Sequence, residues 1–340
     1  MIDGGTLQRV AAQFSFSAPA ETIVPFGTGL INATFLVSTR RDHYVVQRIN
    51  RSVFDDPRSL MQNVATVSAH LGGRFVPELV AARSGGWTVT DAGDTWRAWR
   101  RVPGGEACGE ATPVHAASAA YLLGCFHAAL ADLGPSCLTE TIPHFHDPAR
   151  RLARLREAVA ADPFGRVGRV AAEIDLALAS APLARIADEL VARLPRRIAH
   201  NDAQLANVLF RGDEAVCLVD LDTVMPTAWF WDVGDLVRSA STGAAEDDPD
   251  PEHNVSDPTL VRAIIDGYRA GVASAVKAGT EEDDALEIAG ALITYEQALR
   301  FLTDFILGDV YYRTTRQAQN RDRARAQLAL LASMRGTVGL

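Results

Sequence analysis

The sequence predicts an α+β protein of two lobes: a small antiparallel-sheet lobe at residues 1–98, a hinge at 99–105, and a large, mostly helical lobe at 106–340. Three observations predict it. Strand-length runs of β-branched and aromatic residues crowd the first segment, and helical apolar spacing dominates from Ala117 onward. Between them stands Val102-Pro103-Gly104-Gly105, where Pro and Gly punctuate the chain. A chain of 340 residues with 48% hydrophobic and 22% charged residues is ordinary globular composition, long enough for one large or two modest domains.

In the first lobe, residues 34–38 and 44–49 read as an antiparallel strand pair around the polar turn Thr39-Arg40-Arg41-Asp42. A helix starts at Asp56-Pro57, where Asp56 can cap and Pro57 takes the first helical position. Leu60, Val64, Val67 and Leu71 give it an apolar stripe. Residues 87–90 and 95–99 are further strands, joined by Asp91-Ala92-Gly93-Asp94. In the second lobe, one strand-loop region between His200 and Trp231 interrupts the helices. The acidic, Pro-containing segment 244–258 reads as an exposed loop.

The bulk chemistry excludes several classes. Lys plus Arg number 33 against 42 Asp plus Glu, a net charge of -9, so affinity for nucleic acid through phosphate neutralisation is not expected. The four cysteines (Cys108, Cys125, Cys137, Cys217) show no CxxC spacing and read as reduced, mostly buried thiols. The first residues have no basic segment followed by an apolar run, and no apolar stretch reaches membrane-spanning length. A cytoplasmic protein, monomeric or a small homo-oligomer, is expected. His144-Phe145-His146-Asp147 lacks a third nearby histidine or cysteine and reads as a loop leading into a helix rather than a metal site.

The informative stretch begins at His200-Asn201-Asp202-Ala203-Gln204-Leu205-Ala206-Asn207. Two apolar runs follow, Val208-Leu209-Phe210 and Ala215-Val216-Cys217-Leu218-Val219, around the turn Arg211-Gly212-Asp213-Glu214. They predict a β-hairpin, whose antiparallel strands bring Asn207, entering the first, beside Asp220, leaving the second. A carboxamide oxygen and a carboxylate side by side suit Mg²⁺, which wants hard oxygen ligands and takes few from protein. Asp202 lies in the loop at the same end, where it can accept a proton from an attacking hydroxyl. An H-x-D-x-x-x-x-N stretch followed by a metal aspartate recurs in kinases. His200 is expected to pack beneath the loop, and Asp235 to accept backbone N–H groups from it.

Upstream, Phe26-Gly27-Thr28-Gly29 precedes the first strand, and its glycines would let backbone N–H groups approach phosphate oxygens. In the strand 44–49, Val46 and Arg48 share a face by alternation, and Arg48 is the cation placed to grip phosphate. The helix that follows has no Glu to pair with it; Gln62 and Asn63 are its candidate polar partners.

These residues carry a resemblance. Gly29-Leu30-Ile31-Asn32, Gln47-Arg48-Ile49-Asn50, the His200-to-Asn207 stretch, Val219-Asp220-Leu221-Asp222-Thr223-Val224-Met225-Pro226, Val233-Gly234-Asp235 running on to Arg238, Arg300-Phe301-Leu302-Thr303-Asp304 and Gly308-Asp309-Val310-Tyr311 resemble the aminoglycoside phosphotransferase and choline kinase superfamily. The resemblance is greatest to its N-acetylhexosamine 1-kinase branch. It implies a two-lobed protein-kinase-like fold with ATP between the lobes, Mg²⁺ as cofactor, and transfer of the γ-phosphate to the anomeric hydroxyl of an amino sugar. It implies sugar contacts at Arg300 and Tyr311. Asp304 joins them as a candidate, on a helix where Glu296, Arg300 and Asp304 also read as an i, i+4 salt-bridge ladder in solvent. Asp222 either holds the sugar or braces its loop. Other acceptors on the same fold (an aminoglycoside, choline, methylthioribose, homoserine) and a non-catalytic nucleotide-binding scaffold are the alternatives.

Overall fold

The computed structural model describes residues 2–27, 31–277 and 279–338. Helix α1 (Gly4–Ala12), capped by Asp3 and not foreseen from the sequence, buries Leu7, Val10 and Ala11. It packs on an antiparallel sheet of β1 (Thr22–Pro25), β2 (Ala33–Ser38), β3 (His43–Arg48), β4 (Thr88–Asp91) and β5 (Asp94–Arg100), in the spatial order β1-β2-β3-β5-β4. Between β3 and β4 runs α2 (Pro57–Leu71). Asp56 accepts the backbone N–H groups of Arg58 at 3.0 Å and Ser59 at 3.3 Å, as the Asp-Pro start predicts.

Alternation sorts the two faces of this sheet. Tyr44 and Val46 join Phe35, Val37, Trp96 and Ala98 in the core beneath α1. Trp99 lies in the other core, with Leu60, Met61 and Val64 of α2. Gln47 and Arg97, direct register partners on β3 and β5, share the α2 face with Trp99.

The second lobe begins with β6 (Glu106–Ala107) and α3 (Pro113–Leu130). It continues through α4 (Pro148–Ala161), α5 (Ala171–Ala179), α6 (Pro182–Arg193), β7 (Arg197–Ala199) and the hairpin β8 (Val208–Arg211)–β9 (Glu214–Leu218). Then come β10 (Met225–Thr227), α7 (Phe230–Ala240), α8 (Pro258–Val272), α9 (Glu281–Asp284), α10 (Leu286–Ile306) and α11 (Gln319–Val338). The β6–β8 and β7–β10 pairings were not foreseen, because two or three residues are too few to show an alternation.

Helix α10 overturns the ladder reading. Leu292, Leu299, Leu302 and Ile306 are buried, and so are Glu296 and Asp304. A helix apolar all round lies inside the lobe, and its few polar residues then need protein partners rather than water. The cysteine reading also needs correction: Cys217 is buried, whereas Cys108 and Cys125 are half-buried and Cys137 is exposed. Among the described residues no helix is long and apolar enough to cross a membrane.

Helix α2 belongs to both lobes energetically. Its apolar face shares one core with Leu218, Leu221 and Val224 of the second lobe. Buried Asn63 donates to the carbonyls of Thr139 at 2.7 Å and Val224 at 3.0 Å, and accepts from the Thr139 N–H at 2.9 Å. This uses up the Asn63 amide, and Gln62 is exposed beside Thr66, so neither residue pairs with Arg48.

Candidate active site

Strand β7 delivers the chain to His200-Asn201-Asp202, and a buried carboxylate shapes the loop that follows. Asp232, in the first turn of α7, accepts the backbone N–H groups of His200 at 2.7 Å and Asn201 at 2.6 Å. Its third partner is His127, at 2.8 Å. Burial would raise the Asp232 carboxyl, but the His127 contact and the loop N–H hold it below the usual carboxylate range. The expectation for Asp235 is therefore corrected. That residue sits nearly a turn further along the helix, where it pairs with Arg238 at 2.8 Å.

The loop is strapped to the segment after the hairpin. Asn201, in left-handed backbone at φ 65°, donates its side-chain N–H groups to the carbonyls of Thr223 and Met225, each at 3.0 Å. The Thr223 hydroxyl donates to the His200 carbonyl at 2.8 Å. His200 itself is fully buried; its Nε2–H donates to the Val219 carbonyl at 2.9 Å, and Nδ1 accepts the Asp202 N–H at 3.3 Å.

Strands β8 and β9 pair in a register that matches Val208 with Leu218, and the Val219 N–H reaches the Asn207 carbonyl at 2.9 Å. Asn207 and Asp220 thus flank the open end of the hairpin, with Asp220 turned into the left-handed region at φ 63°. The Asn207 side-chain N–H groups donate to the Asp202 carbonyl and to its carboxylate, both at 2.9 Å. Gln204 donates to the other carboxylate oxygen at 3.1 Å. The amide of Asn207 is oriented by these bonds, with its oxygen left for another partner.

Those groups fit a divalent ion. Among the described residues no cluster of three or more His, Cys, Asp or Glu side chains could hold a metal. A divalent ion at this hairpin would find two hard oxygens, on Asn207 and Asp220, a donor set of the kind Mg²⁺ accepts. Burial pushes the Asp202 carboxyl up to about 7, with repulsion from Asp235 added; Arg238 and the Asn207 and Gln204 hydrogen bonds oppose the rise. Asp220 is raised by its low-dielectric surroundings, then by Asp222 and Asp202, against the pull of Arg97. Asp220 is itself exposed, so water moderates this rise.

The expected phosphate grip is not assembled as the sequence suggested. Arg48 is in register with Trp96, on the α1 face of the sheet, where it pairs with Asp94 at 3.3 Å and is 39% exposed. Alternation was read rightly, but it puts Arg48 on the side away from Asp202, Asn207 and Asp220. The buried cation on the other face is Arg97, paired with Asp222. Gly27 has a positive φ of 73°. Thr28 and Gly29 lie outside the described residues.

The acceptor candidates divide. Arg300 lies among the rings of Phe145, Tyr311 and Tyr312, 5.4–5.9 Å from their centroids. One turn earlier on α10, buried Glu296 faces His146 at 3.2 Å, and the other ring nitrogen of His146 meets the Asn201 carbonyl at 3.1 Å. These contacts join the Arg300 end of α10 to the His200-Asn201-Asp202 loop. Helix α7 approaches α10 closely at Gly234, where an added Cβ would come within 2.4 Å of the Ala289 carbonyl. Asp304 turns inward, accepting the N–H groups of Val310 at 3.0 Å, Tyr311 at 2.8 Å and Tyr312 at 2.9 Å, and that of the Asn320 side chain at 2.9 Å. It holds the loop that carries Tyr311, whose own side chain is 57% exposed. Asp222 faces the first lobe and does not join this group.

Sequence reasoning missed Arg97, Asp232, His146 and Glu296 in these places. A lone arginine flanked by Trp96, Ala98 and Trp99 in a strand, and a lone glutamate inside an apolar helix, were the available signals. A separate cavity of about 260 Å³, lined by His146, Trp231, Met225 and Asp188 among others, lies beside the loop; none of Asp202, Asn207 and Asp220 lines it.

Comparison with known proteins gives a family and a fold. A model of the phosphotransferase enzyme family matches residues 22–274, more than half of the chain. Among solved structures, an aminoglycoside phosphotransferase from Alicyclobacillus acidocaldarius aligns with a TM-score of 0.65 at 17% identity, over 100% of this chain and 97% of that one. A microcompartment-associated aminopropanol kinase aligns at 0.63 and 18% identity, over 99% of both chains. An amicoumacin kinase in complex with AMP-PNP, Ca²⁺ and Ami aligns at 0.59 and 14% identity, over 99% of this chain and 93% of that one. At such identities the likeness shows the fold, a kinase-like one with an antiparallel-sheet N-lobe and a helical C-lobe.

Proposed function

The chain belongs to the phosphotransferase enzyme family, and from that premise we propose that it is an ATP-dependent kinase of a small hydroxylated molecule, its acceptor an N-acetylhexosamine phosphorylated at the anomeric hydroxyl. The contact between Asp202 and Asn207, at the end of the hairpin that closes on Asp220, carries this reading. In it, Asn207 and Asp220 hold the divalent ion, and Asp202 orients the acceptor hydroxyl and takes its proton. Bound there, Mg²⁺ supplies charge neutralisation at the β- and γ-phosphates. A carboxyl pushed up to about 7 is a stronger base than an ordinary aspartate. The protein's remaining contribution is positioning and a preorganised field.

The acceptor end supports a neutral amino sugar. Arg300 is a planar multi-donor suited to hydroxyl and carbonyl oxygens, and the exposed ring of Tyr311 can lie against an apolar sugar face. Arg300 and Arg151 beside Glu296 also repel a cation, which disfavours choline and polycationic aminoglycosides. The aligned aminopropanol kinase is a protein of this fold whose name carries an amine-bearing acceptor, so amines belong in the test.

That test is an ADP-release screen with Mg²⁺ and ATP across hexosamines, aminoglycosides, choline and homoserine, with the product's phosphorylated position read by ³¹P NMR. The expected product is a sugar 1-phosphate. Turnover with another acceptor alone overturns the sugar reading, and a nucleotide thermal shift without ADP release from any acceptor makes the chain a scaffold.

A further inference from the structure

We propose that the buried ion pair between Arg97 and Asp222 is a latch between the lobes that positions Asp220, so that Asp222 serves transfer as a positioning residue and does not touch the acceptor. The inference rests on the kinase reading above and adds to it. Arg97 stands on β5 of the first lobe and is fully buried; Asp222 is 4% exposed, two residues past Asp220 in the turn Leu221–Thr223. The guanidinium pairs with one carboxylate oxygen, and its Nε–H donates to Gln47 of β3 at 3.0 Å. The other carboxylate oxygen accepts from the Asn32 side chain at 2.6 Å, and Asn32 in turn accepts the Asn50 N–H at 3.0 Å. Two side chains of the first lobe, Arg97 and Asn32, thus meet one carboxylate of the second, and Gln47 and Asn50 hold those two in turn.

From the far side, Asn63 of α2 holds the carbonyl of Val224, which closes the same turn. The helix position available to pair with a strand cation instead bolts the lobes together. In protein kinases a strand lysine–helix glutamate pair and the metal-bound aspartate must both be in place. Here the buried cation stands on β5, and its partner sits in the turn that follows Asp220. Stability alone does not account for the pair: apolar residues of similar size would hold the lobes as well, and Arg97 keeps one terminal nitrogen buried without a hydrogen-bond partner. Separating the lobes strands both charges and frees the turn that carries Asp220.

The test measures Mg²⁺–ADP affinity by calorimetry, and kcat and both KM values, for the wild type, Arg97→Met, Arg97→Lys, Asp222→Asn and the double variant Arg97→Met/Asp222→Asn. Asparagine preserves the acceptor for Asn32. Each neutralised single variant is expected to lose about tenfold in Mg²⁺–ADP affinity and in kcat, with acceptor KM within about twofold of wild type. The double variant should be no worse than either single one, and Arg97→Lys should recover part of the loss. Should Arg97→Met fail to fold, Asp222→Asn against the double variant carries the same comparison. Additive losses, wild-type values, or a raised acceptor KM in Asp222→Asn with Mg²⁺–ADP affinity intact each overturn the latch. An inert wild type overturns the kinase reading and the latch with it.

Discussion

Asn207 donates to both the main-chain carbonyl and the carboxylate of Asp202, at 2.9 Å each, so one amide fixes the carboxylate proposed as base while its own oxygen takes no part in those bonds. The two roles are therefore separable by substitution. Asp202→Asn removes the proton acceptor but keeps the loop. It is expected to lower kcat by about 10²–10⁴, with the thermal shift given by Mg²⁺–ADP nearly unchanged. An ADP-release assay beside a thermal-shift titration checks both, and wild-type turnover would show that another group takes the proton.

Asp232 and Asp235 should part company under the same substitution. Asp232→Ala orphans two backbone N–H groups and buried His127, each loss worth about 1–3 kcal/mol. A clear drop in the urea midpoint with collapse of activity is expected. Asp235→Ala removes a partner of Arg238 and a repulsion on Asp202, without loosening the His200-Asn201 backbone. Equal denaturation midpoints for the two variants would contradict this division.

How much of this was readable in the sequence follows the range of each interaction. Asp202, Asn207 and Asp220 are brought together by a hairpin, whose strand lengths and turn are local features that spacing reveals. The β2–β3 pair and the Asp56 cap are local in the same sense. Asp232 and Asp235 differ by less than one helical turn, and only the packing of α7 against the loop decides which carboxylate reaches the N–H groups. Arg97 and Asp222 meet across the lobes, and no periodicity encodes that. The ladder on α10 failed because the i, i+4 pattern is blind to what surrounds a helix.

Metal and pH should be coupled, with a definite sign. Asp202 is raised to about 7 and Asp220 is raised as well, against 3.8 for both when unperturbed. The folded chain then binds protons that the unfolded chain has released, so these groups stabilise fully below the unfolded value and lose that contribution as pH rises towards 7. A divalent ion binds the ionised form and offsets the loss by mass action. The rise in Tm on adding Mg²⁺ should therefore be larger at pH 8 than at pH 5.5. A shift independent of pH would mean that Mg²⁺ does not bind these carboxylates.

Gly234→Ala tests the contact that sets α7 against α10. The new Cβ meets a main-chain carbonyl, which cannot swing aside as a flexible side chain could. A cost of about 1–3 kcal/mol is expected, seen as a lower urea midpoint, with acceptor KM rising because the Arg300 end of α10 moves relative to the loop. An unchanged midpoint would mean that the two helices part without penalty.

Asp304 offers the sharpest distinction between touching an acceptor and supporting what does. Its two oxygens accept four N–H groups, three of them from the backbone of residues 310–312. A carboxylate so committed has little left to offer a sugar hydroxyl. Asp304→Ala should release the loop, lower the Tm and raise acceptor KM through the loss of Tyr311's position, while ATP KM stays within about twofold. Arg300→Met should raise acceptor KM with a smaller change in Tm, since its guanidinium sits among rings instead of holding backbone. Tyr311→Ala, made in the Asp304→Ala background, decides the matter: if Asp304 acts by holding that ring, the second substitution adds little to acceptor KM. Full additivity would mean that Asp304 reaches the acceptor by itself.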